Sequence, residues 1–477
     1  MERKVPVWSV LLLTMILLLF AVSLAWAVRS TMKGSDRSGA FGSFALAVAE
    51  FPRKAVLVFS EVAGEVSGTP VWQRLVAPLP ADRDGFAPLP GREGPPVEGL
   101  VFRRGEGEAR PGWRLLTGAF TVDGRFANGA VLLDPEFGIA HFWPIDEAGL
   151  GSEVLPEDRK LVHGLAVLRD GSVVASFDNG SSLQRIGACG ARMWAVPGSF
   201  HHAVTAHPDR QSVWALLRQG SPAEAIGANE PGTEAGDIAA QSFVVEIAVE
   251  DGETLRSFSL RDVADANPAI DPLQIRIDDR PPGGLGGADN PRNLRGPFLF
   301  DPFHTNDVDP LPARLAERFE GFQAGDLLLS LRSLNLVMAV DPESLAIRWW
   351  RSGLAQRQHD PDWHATGEIT ILDNRMFGAA SAVVAVDPAS FKTRILFDGT
   401  APDVFSRARG KHQVRPDGAV LIASSHQARA IEVDPAGQVA VDILNTIPGR
   451  DGDGLVLTDF AWIPPDFFDP AAFDCGA

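Results

Sequence analysis

The sequence predicts an all-β protein, a six-bladed β-propeller with an N-terminal transmembrane helix and a juxtamembrane segment. Three observations indicate this: a strand-and-turn pattern recurs six times, Gly (47) and Pro (36) are abundant, and one long uncharged apolar run lies near the N-terminus. Apolar residues make up 45% of the 477 residues, enough for a sizeable core. The predicted segments are an N-terminal flank (1–4), a transmembrane anchor or signal segment (5–28), a juxtamembrane segment and linker (29–112), and the propeller (113–477).

Each copy of the repeat joins short runs of β-branched and apolar residues through turns at Asp-Gly, Asp-Pro or Asn-Gly. Clear copies are GDLLLSLRSLNLVMAVDPESLAIRWW and RPDGAVLIASSHQARAIEVDPAGQVAVDIL. Each copy contains three or four strands and cannot bury its own two faces, so radial packing of similar sheets is the stable arrangement. Two insertions, 221–236 and 278–296, are expected to be loops over one mouth of the channel.

The apolar run extends from Val5 to Val28 without a charge. At about 1.5 Å per residue it is long enough to cross roughly 30 Å of hydrocarbon. Ala25-Trp26-Ala27 resembles the small-residue cleavage pattern of a signal peptide, so an uncleaved anchor and a cleaved signal are both open. We expect the propeller to be tethered to a membrane at one end or released from it.

Charge and cysteine content exclude several classes of protein. The net charge of −18 argues against a general nucleic-acid binder, because such proteins neutralise phosphates with clustered Lys and Arg. The two cysteines, Cys189 and Cys475, are too few for a disulfide framework or a Cys-rich zinc site. At most one bridge between them is possible.

Most of the ten histidines lie where a repeat begins, and these are His163, His201, His202, His304, His359 and His412. In a propeller the first strand of each blade lies innermost, so its start lines the central channel at one mouth. We therefore expect these imidazoles to converge near the axis. Imidazole is a nucleophile and a base near neutral pH, which favours chemistry at this ring.

Three other interpretations of the histidines remain open. They could form a structural ring that is capped by backbone and water, or the propeller could be a tethered non-catalytic scaffold. A divalent metal of a metal-dependent hydrolase is the third, with Asp307 and Asp360 near the ring. Adjacent His201 and His202 would point to opposite faces of a regular strand, which weakens a compact ligand cluster.

Four segments, within a region from about 162 to 467, resemble the bacterial arylsulfotransferase family. HTNDV (304–308) resembles its His-x-Asn-Asp element, and SLRSLN (330–335) resembles its Ser-x-Arg strand. QHDPDW (358–363) with ILDN (371–374) is similar to its Gln-His segment and the turn that follows. FHH (200–202) resembles the double-histidine start of a blade. PLPARLAERFEGFQ, between the first two segments, is expected to include a short helix.

The resemblance implies a periplasmic enzyme that moves a sulfuryl group from a phenolic sulfate ester to a phenol. No nucleotide donor, metal or cofactor is implied, and the intermediate is a sulfated histidine. By position, His359 resembles the nucleophile, and His304 or His202 the general base and acid. The residues expected around the sulfate are His304, Asn306, Arg332 and one of His201 and His202. Its partners would be small phenolic sulfates and phenols, with the N-terminal helix in the inner membrane.

Overall fold

The computed structural model describes residue 23 and residues 75–90, 97–150, 160–178, 180, 182–218, 242–270, 273, 303–376 and 378–475. The chain divides into two compact units, 1–74 with 279–295 and 75–278 with 296–477, and all described residues except Ser23 lie in the second. The predicted membrane segment, apart from Ser23, and both predicted insertions lie outside the described residues. Within the described part, no helix is both long and apolar enough to cross a membrane.

Six antiparallel sheets form the blades of a β-propeller, which confirms the predicted six-bladed all-β architecture. Four strands precede the first blade: β1 (Val76–Pro78), β2 (Ala87–Pro88), β3 (Val97–Glu98) and β4 (Leu100–Arg104). Blade 1 contains β5 (Trp113–Val122), β6 (Arg125–Leu133) and β7 (Ile139–Pro144), together with one strand from the end of the chain. Blade 2 is β8 (Leu161–Val167), β9 (Val173–Asp178), β10 (Ser182–Ile186) and β11 (Arg192–Pro197). Blade 3 is β12 (Ser199–Ala206), β13 (Ser212–Arg218), β14 (Ser242–Ala248) and β15 (Thr254–Ser259).

The second half of the ring repeats the same four-stranded meander. Blade 4 is β16 (Thr305–Pro310), β17 (Leu327–Leu331), β18 (Leu336–Val340) and β19 (Ile347–Ser352). Blade 5 is β20 (His359–Trp363), β21 (Ile369–Asp373), β22 (Ala382–Val386) and β23 (Thr393–Asp398). Blade 6 is β24 (His412–Val414), β25 (Val420–Ser424), β26 (Arg429–Val433) and β27 (Val439–Asn445). The chain ends with β28 (Asp453–Leu455) and β29 (Leu457–Ile463).

Short helices interrupt the strands. Helix α1 (Leu260–Ala266) starts at a capping box between Ser259 and Asp262, and α2 (Ala313–Ala316) lies in the segment where a short helix was predicted. Two 3₁₀ turns, Arg332–Leu334 and Ser425–Gln427, each follow the second strand of a blade.

The ring closes through its last strand. Strand β29 pairs with β5 and so supplies the first strand of blade 1. Strands β4 and β2 extend the outer edge of blade 6, and β3 pairs with β5. The described part of the predicted linker, from Leu75 onward, therefore contributes strands to the propeller unit. A disulfide joins Cys189, in the turn after β10, to Cys475 near the C-terminus.

Among the described residues, six apolar layers of the core each lie between two neighbouring blades, and a smaller cluster includes Leu75, Ala119 and Val456. Because a blade packs on both faces, its middle strands are continuous apolar runs: β22 reads AVVAV and is buried throughout. The outer strand β23 reads TRILFD and is mostly exposed. The first strands lie side by side, β8 against β12, β12 against β16, and β16 against β20. This arrangement brings the start of each blade to a common axis.

A buried ion cluster links blade 1 to blade 6, the two blades that meet where the ring closes. Arg114 on β5 is fully buried and pairs with Glu432 on β26, with 2.9 Å between Nη2 and Oε2. Arg415 donates to the other oxygen of Glu432 at 2.8 Å. Removing one member of such a cluster leaves an uncompensated buried charge.

We predict that Glu432→Gln lowers the free energy of unfolding by about 3–5 kcal/mol, because Arg114 loses its buried counter-charge. Denaturant unfolding of the full chain measures this change. Glu343→Gln is the matched control, since Glu343 pairs with Arg256 at 3.1 Å but its side chain is 74% exposed. The control should change the free energy by less than about 1 kcal/mol. Equal effects of the two substitutions would contradict the prediction.

Candidate active site in the central channel

The first strands are irregular where they line the channel. In five blades the pairing between the first two strands shifts register, at Val162/Gly164, His201/Val204, Thr305/Asp307, His359/Asp362 and Leu457/Asp459. His202, His304 and Asp360 have positive φ values of 56°, 48° and 56°. Such bulges bend the strand and re-aim side chains, and residues in this backbone region concentrate at functional sites.

The imidazoles meet around His202. Its ring centroid lies 4.7 Å from that of His163, 4.9 Å from His304 and 6.4 Å from His359. The expectation that His201 and His202 would point to opposite faces was wrong. The bulge and the positive φ of His202 bring the two Nδ1 atoms within 2.8 Å, so one ring donates a hydrogen bond to the other.

A polar residue that ends or follows the second strand holds a histidine of the same blade. The three pairs are His163 with Asp178, His304 with Arg332, and His359 with Asn374. The partners are chemically different: a carboxylate, a guanidinium and an amide. Residues near the end of the second strand therefore give three imidazoles three different hydrogen-bonding states.

The ring of His359 has a defined tautomer. Asn374 uses its amide NH₂ to donate to the carbonyls of Ser406 and Arg409, both at 2.8 Å, so its Oδ1 is the acceptor for His359 Nδ1–H at 2.7 Å. The backbone N–H of Arg409 donates to Nε2 at 3.2 Å. The lone pair of the neutral ring is therefore on Nε2.

Arg332 contacts His304, another member of the histidine cluster. Its Nη1 lies 2.6 Å from Nε2 of His304. A guanidinium can only donate, so Nε2 of His304 is the acceptor and the ring carries its proton on Nδ1. The short helix between them does not move this arginine away from the histidines.

Asp178 links His163 to Arg409 within the channel. Its Oδ1 lies 2.9 Å from Nδ1 of His163, and its Oδ2 accepts from Nε of Arg409 at 2.9 Å. Burial alone would raise the pKa of Asp178, but the charges of His163 and Arg409 hold it well below its usual range. Arg409, at a φ of 63°, thus contacts His359 through its backbone and Asp178 through its side chain.

His359 and His202 are neutral at pH 7. Burial, together with the charge of Arg332, holds the pKa of His359 well below its ordinary value of 6.5. Burial also holds the pKa of His202 well below 6.5, even though the nearby carboxylate of Asp178 would raise it. A neutral imidazole is the form that acts as nucleophile or base.

Asn306 supports the backbone of the segment that carries His359. It is buried, and its Nδ2 donates to the carbonyl of Gln358 at 2.8 Å, which anchors the residue before His359. Gln358 in turn donates to Ser330 Oγ at 3.1 Å. The Oδ1 of Asn306 is buried without a hydrogen-bond partner among the described residues.

A second polar layer follows along the same strands. Lys411 Nζ lies 2.8 Å from Asp360 Oδ1 and 3.8 Å from Asp307 Oδ1. Burial would raise the pKa of Asp360, but Lys411 and His412 hold it below its usual range. Burial and the charge of Asp360 raise the pKa of Asp309 to about 7. Because carboxylates crowd this layer, at least one of them keeps its proton near neutral pH.

The structure brings the predicted site residues together: His359, His304, Arg332, His201 and His202 meet in one cluster, with Asn306 behind it. The roles predicted for these residues remain predictions. Sequence analysis missed Asp178, Arg409 and Lys411. The end of the second strand could have indicated the segment that carries Asp178, because FDN at 177–179 matches LDN at 372–374, but the match aligns Asp178 with Asp373 and not with Asn374. No comparable signal exists for Arg409, which lies in the loop before β24.

Solved structures with a similar fold are distant in sequence. They include a protein of unknown function from Bacteroides caccae (TM-score 0.44, 11% identity, covering 74% of this chain and 98% of that one) and TolB from Acinetobacter baumannii (TM-score 0.42, 11% identity, 74% and 67%). Virginiamycin B lyase from Staphylococcus aureus is a third (TM-score 0.34, 11% identity, 60% and 71%). The TM-scores are all below 0.5, so nothing about function follows from them. No protein of the curated set matches the sequence.

The family comparison gives a definite result. The family model described as Arylsulfotransferase (ASST) matches residues 164–446, more than half of the chain. The matched range contains the predicted site residues from His201 to His359 together with Asp178, Asn374 and Arg409. At family level this supports a sulfotransferase-like enzyme. The chain therefore belongs to the arylsulfotransferase family.

Proposed function

We propose that the protein transfers a sulfuryl group from an aryl sulfate ester to a phenol, through a sulfated His359 and without a nucleotide donor. The observation that carries this proposal is the fixed tautomer of His359. Its Nδ1–H is held by Asn374, which leaves the lone pair of the neutral ring on Nε2, beside the backbone N–H of Arg409. Family membership supports the same class of reaction.

In the first half-reaction, Nε2 of His359 attacks the sulfur and the bond between sulfur and the aryl oxygen breaks. The electron pair of that bond leaves on the aryl oxygen, which takes a proton to become a phenol. The backbone N–H of Arg409 donates to Nε2 of His359 at 3.2 Å in the free enzyme, so it must release this nitrogen and can then donate, with Arg332, to the sulfuryl oxygens. The sulfated ring keeps its proton on Nδ1 and is therefore a good leaving group.

In the second half-reaction the acceptor phenol loses its proton, its oxygen attacks the sulfur, and the S–N bond breaks. That electron pair returns to Nε2 of His359. We assign the phenol's proton to His202, whose neutral ring lies at the centre of the cluster, and the ring returns it to the leaving oxygen in the next first half-reaction. His202 contacts His201 through Nδ1 at 2.8 Å, so a proton taken at one ring nitrogen can pass to the neighbouring ring.

We also propose that the enzyme works in the periplasm and is anchored to the inner membrane by residues 5–28. The disulfide between Cys189 and Cys475 supports an oxidising compartment, and the uncharged apolar run supports export. Protease added to spheroplasts of a producing bacterium should digest the chain in the membrane fraction. Full protection from protease would contradict this location.

The first functional prediction concerns His359. The purified full chain, incubated with 4-nitrophenyl sulfate and phenol but no nucleotide, should release nitrophenol and form phenyl sulfate. Mass spectrometry should find one sulfuryl group on the peptide that contains His359. His359→Asn should lower turnover by at least about 10³-fold and abolish the label.

His207→Asn is the matched control for this experiment. His207 lies at the end of blade 3's first strand, where Nδ1 accepts the backbone N–H of Asp209, and an asparagine oxygen can replace that acceptor. The control should keep both turnover and label. A wild-type chain with neither turnover nor label would favour a non-catalytic scaffold.

The second functional prediction concerns His202 as proton donor and acceptor. His202→Asn should lower kcat by about 10²–10⁴-fold with a poorly acidic phenol as leaving group or acceptor. The loss should shrink for 4-nitrophenyl sulfate in the first half-reaction, because nitrophenolate leaves without a proton. Equal losses for both leaving groups would indicate a purely structural role.

The third functional prediction is a pH profile. Because the pKa of His359 lies well below 6.5, its neutral, nucleophilic form stays populated as the pH falls through 6.5. Transfer from 4-nitrophenyl sulfate, whose charge does not titrate in this range, should keep its kcat/KM from about pH 8 to below 6.5. Loss of half the activity at or above pH 6.5 would contradict this.

A further inference from the structure

The polar layer beyond the histidines contains more negative than positive charge. Five aspartates on the first strands of three blades contribute to it, and these are Asp307, Asp309, Asp360, Asp362 and Asp459. Lys411 is a cation that contacts two of them. The layer thus offers five carboxyl groups to one ammonium, which is the composition of a cation-binding site.

His412 supplies an independent observation in this layer. Its side chain is 0% exposed, and its Nε2 contacts the hydroxyl of Thr370 at 3.0 Å. Its Nδ1 is buried with no hydrogen-bond partner among the described residues, yet it lies 3.2 Å from Oδ2 of Asp360. A buried ring nitrogen without a hydrogen-bond partner carries a free-energy cost unless something binds it.

The spacing of these atoms suits a metal ion. Zn²⁺ binds imidazole nitrogen and carboxylate oxygen at about 2.0–2.2 Å, which places two ligand atoms of one ion roughly 3–3.5 Å apart. His412 Nδ1 and Asp360 Oδ2 have this separation. Asp362 is the third candidate ligand: its Oδ2 lies 3.7 Å from Nε2 of His412, and one ligand atom from each of the three residues lies within 4.8 Å of the others.

Asp360 can serve as a ligand while it keeps its other contacts. Its Oδ1 accepts from Lys411, and its Oδ2 accepts the backbone N–H of His412 at 2.7 Å. A carboxylate oxygen has a second lone pair, which remains available for a metal ion. Asp362 is 36% exposed, so an ion has a route into the layer.

We infer that Asp360, Asp362 and His412 form a site for one divalent first-row metal ion, with Zn²⁺ or Mn²⁺ as the best match. An imidazole with two carboxylates suits these ions better than Mg²⁺ or Ca²⁺, which prefer oxygen ligands alone. The ion joins blade 5 to blade 6 and balances the excess carboxylate charge. This site does not depend on the proposed sulfuryl transfer.

A second group of possible ligands, His163, Asp178 and His202, is less suitable. Both oxygens of Asp178 already serve charged or hydrogen-bonding partners, Oδ1 with His163 and Oδ2 with Arg409. A metal ion there would have to displace Arg409 from the channel. In the inferred site Oδ2 of Asp360 accepts a backbone N–H, so a metal ion there displaces no cation from that oxygen.

Isothermal titration calorimetry tests the site. The full chain, stripped of metal with a chelator, is titrated separately with ZnCl₂, MnCl₂, MgCl₂ and CaCl₂. We expect one equivalent of Zn²⁺ or Mn²⁺ to bind and to raise the Tm, with weaker binding of Mg²⁺ and Ca²⁺. Asp362→Asn should weaken the binding by more than about tenfold, because even changes outside the ligand set cost ten- to hundredfold.

The variants make the test decisive. Asp362→Asn alters a partly exposed residue and should fold, whereas His412→Gln tests the buried ligand and is checked for folding by its Tm. Asp178→Asn tests the other group and should bind metal as the wild type does. The inference is overturned if no metal binds, if Asp362→Asn and His412→Gln bind like the wild type, or if Asp178→Asn alone abolishes binding.

Discussion

The candidate site depends on breaks in strand pairing at the inner edge of the blades. A regular first strand would alternate its side chains between the two faces of the blade, and both faces are covered by neighbouring blades. The register shifts, and the positive φ angles of His202 and His304, turn polar side chains toward the axis instead. The apolar layers between blades hold the backbone in these strained conformations.

The second strands then give each imidazole its own chemistry. Asp178, Arg332 and Asn374 each lie at or just after the end of the second strand of a blade. Asp178 accepts a hydrogen bond, Arg332 donates one, and Asn374 fixes a tautomer. A repeat architecture thereby brings equivalent positions together, and substitution within the repeat makes them chemically distinct. The neutral state of His359 and His202 follows from burial and nearby positive charge, which is the state that nucleophilic and basic roles require.

Charge is layered along the channel. The chain carries a net charge of −18, yet the guanidinium groups of Arg332 and Arg409 lie beside the histidines, where an anionic ester is proposed to bind. The next layer holds the aspartates and Lys411. Positive groups that are confined to one level of a low-dielectric channel can attract an anion without a positive surface.

The sequence by itself determined the propeller, the family resemblance and the placement of histidines at the starts of blades. These features are local, since turn residues, apolar runs and motif order can be read from neighbouring positions. Pairing of His201 with His202 was not predictable, because it depends on a bulge that contradicts the regular alternation of a strand. The contributions of β1 to β4 were also missed, since that Pro- and Gly-rich stretch has only short strands.

Only the tertiary structure decided which groups face one another across the channel. Arg409 and Asp178 are 231 residues apart in the chain and meet through the closure of the ring. The same closure places Cys475 beside Cys189 and Lys411 beside Asp307. Such contacts depend on how six sheets pack around an axis, and a pattern in the local sequence carries no information about that packing.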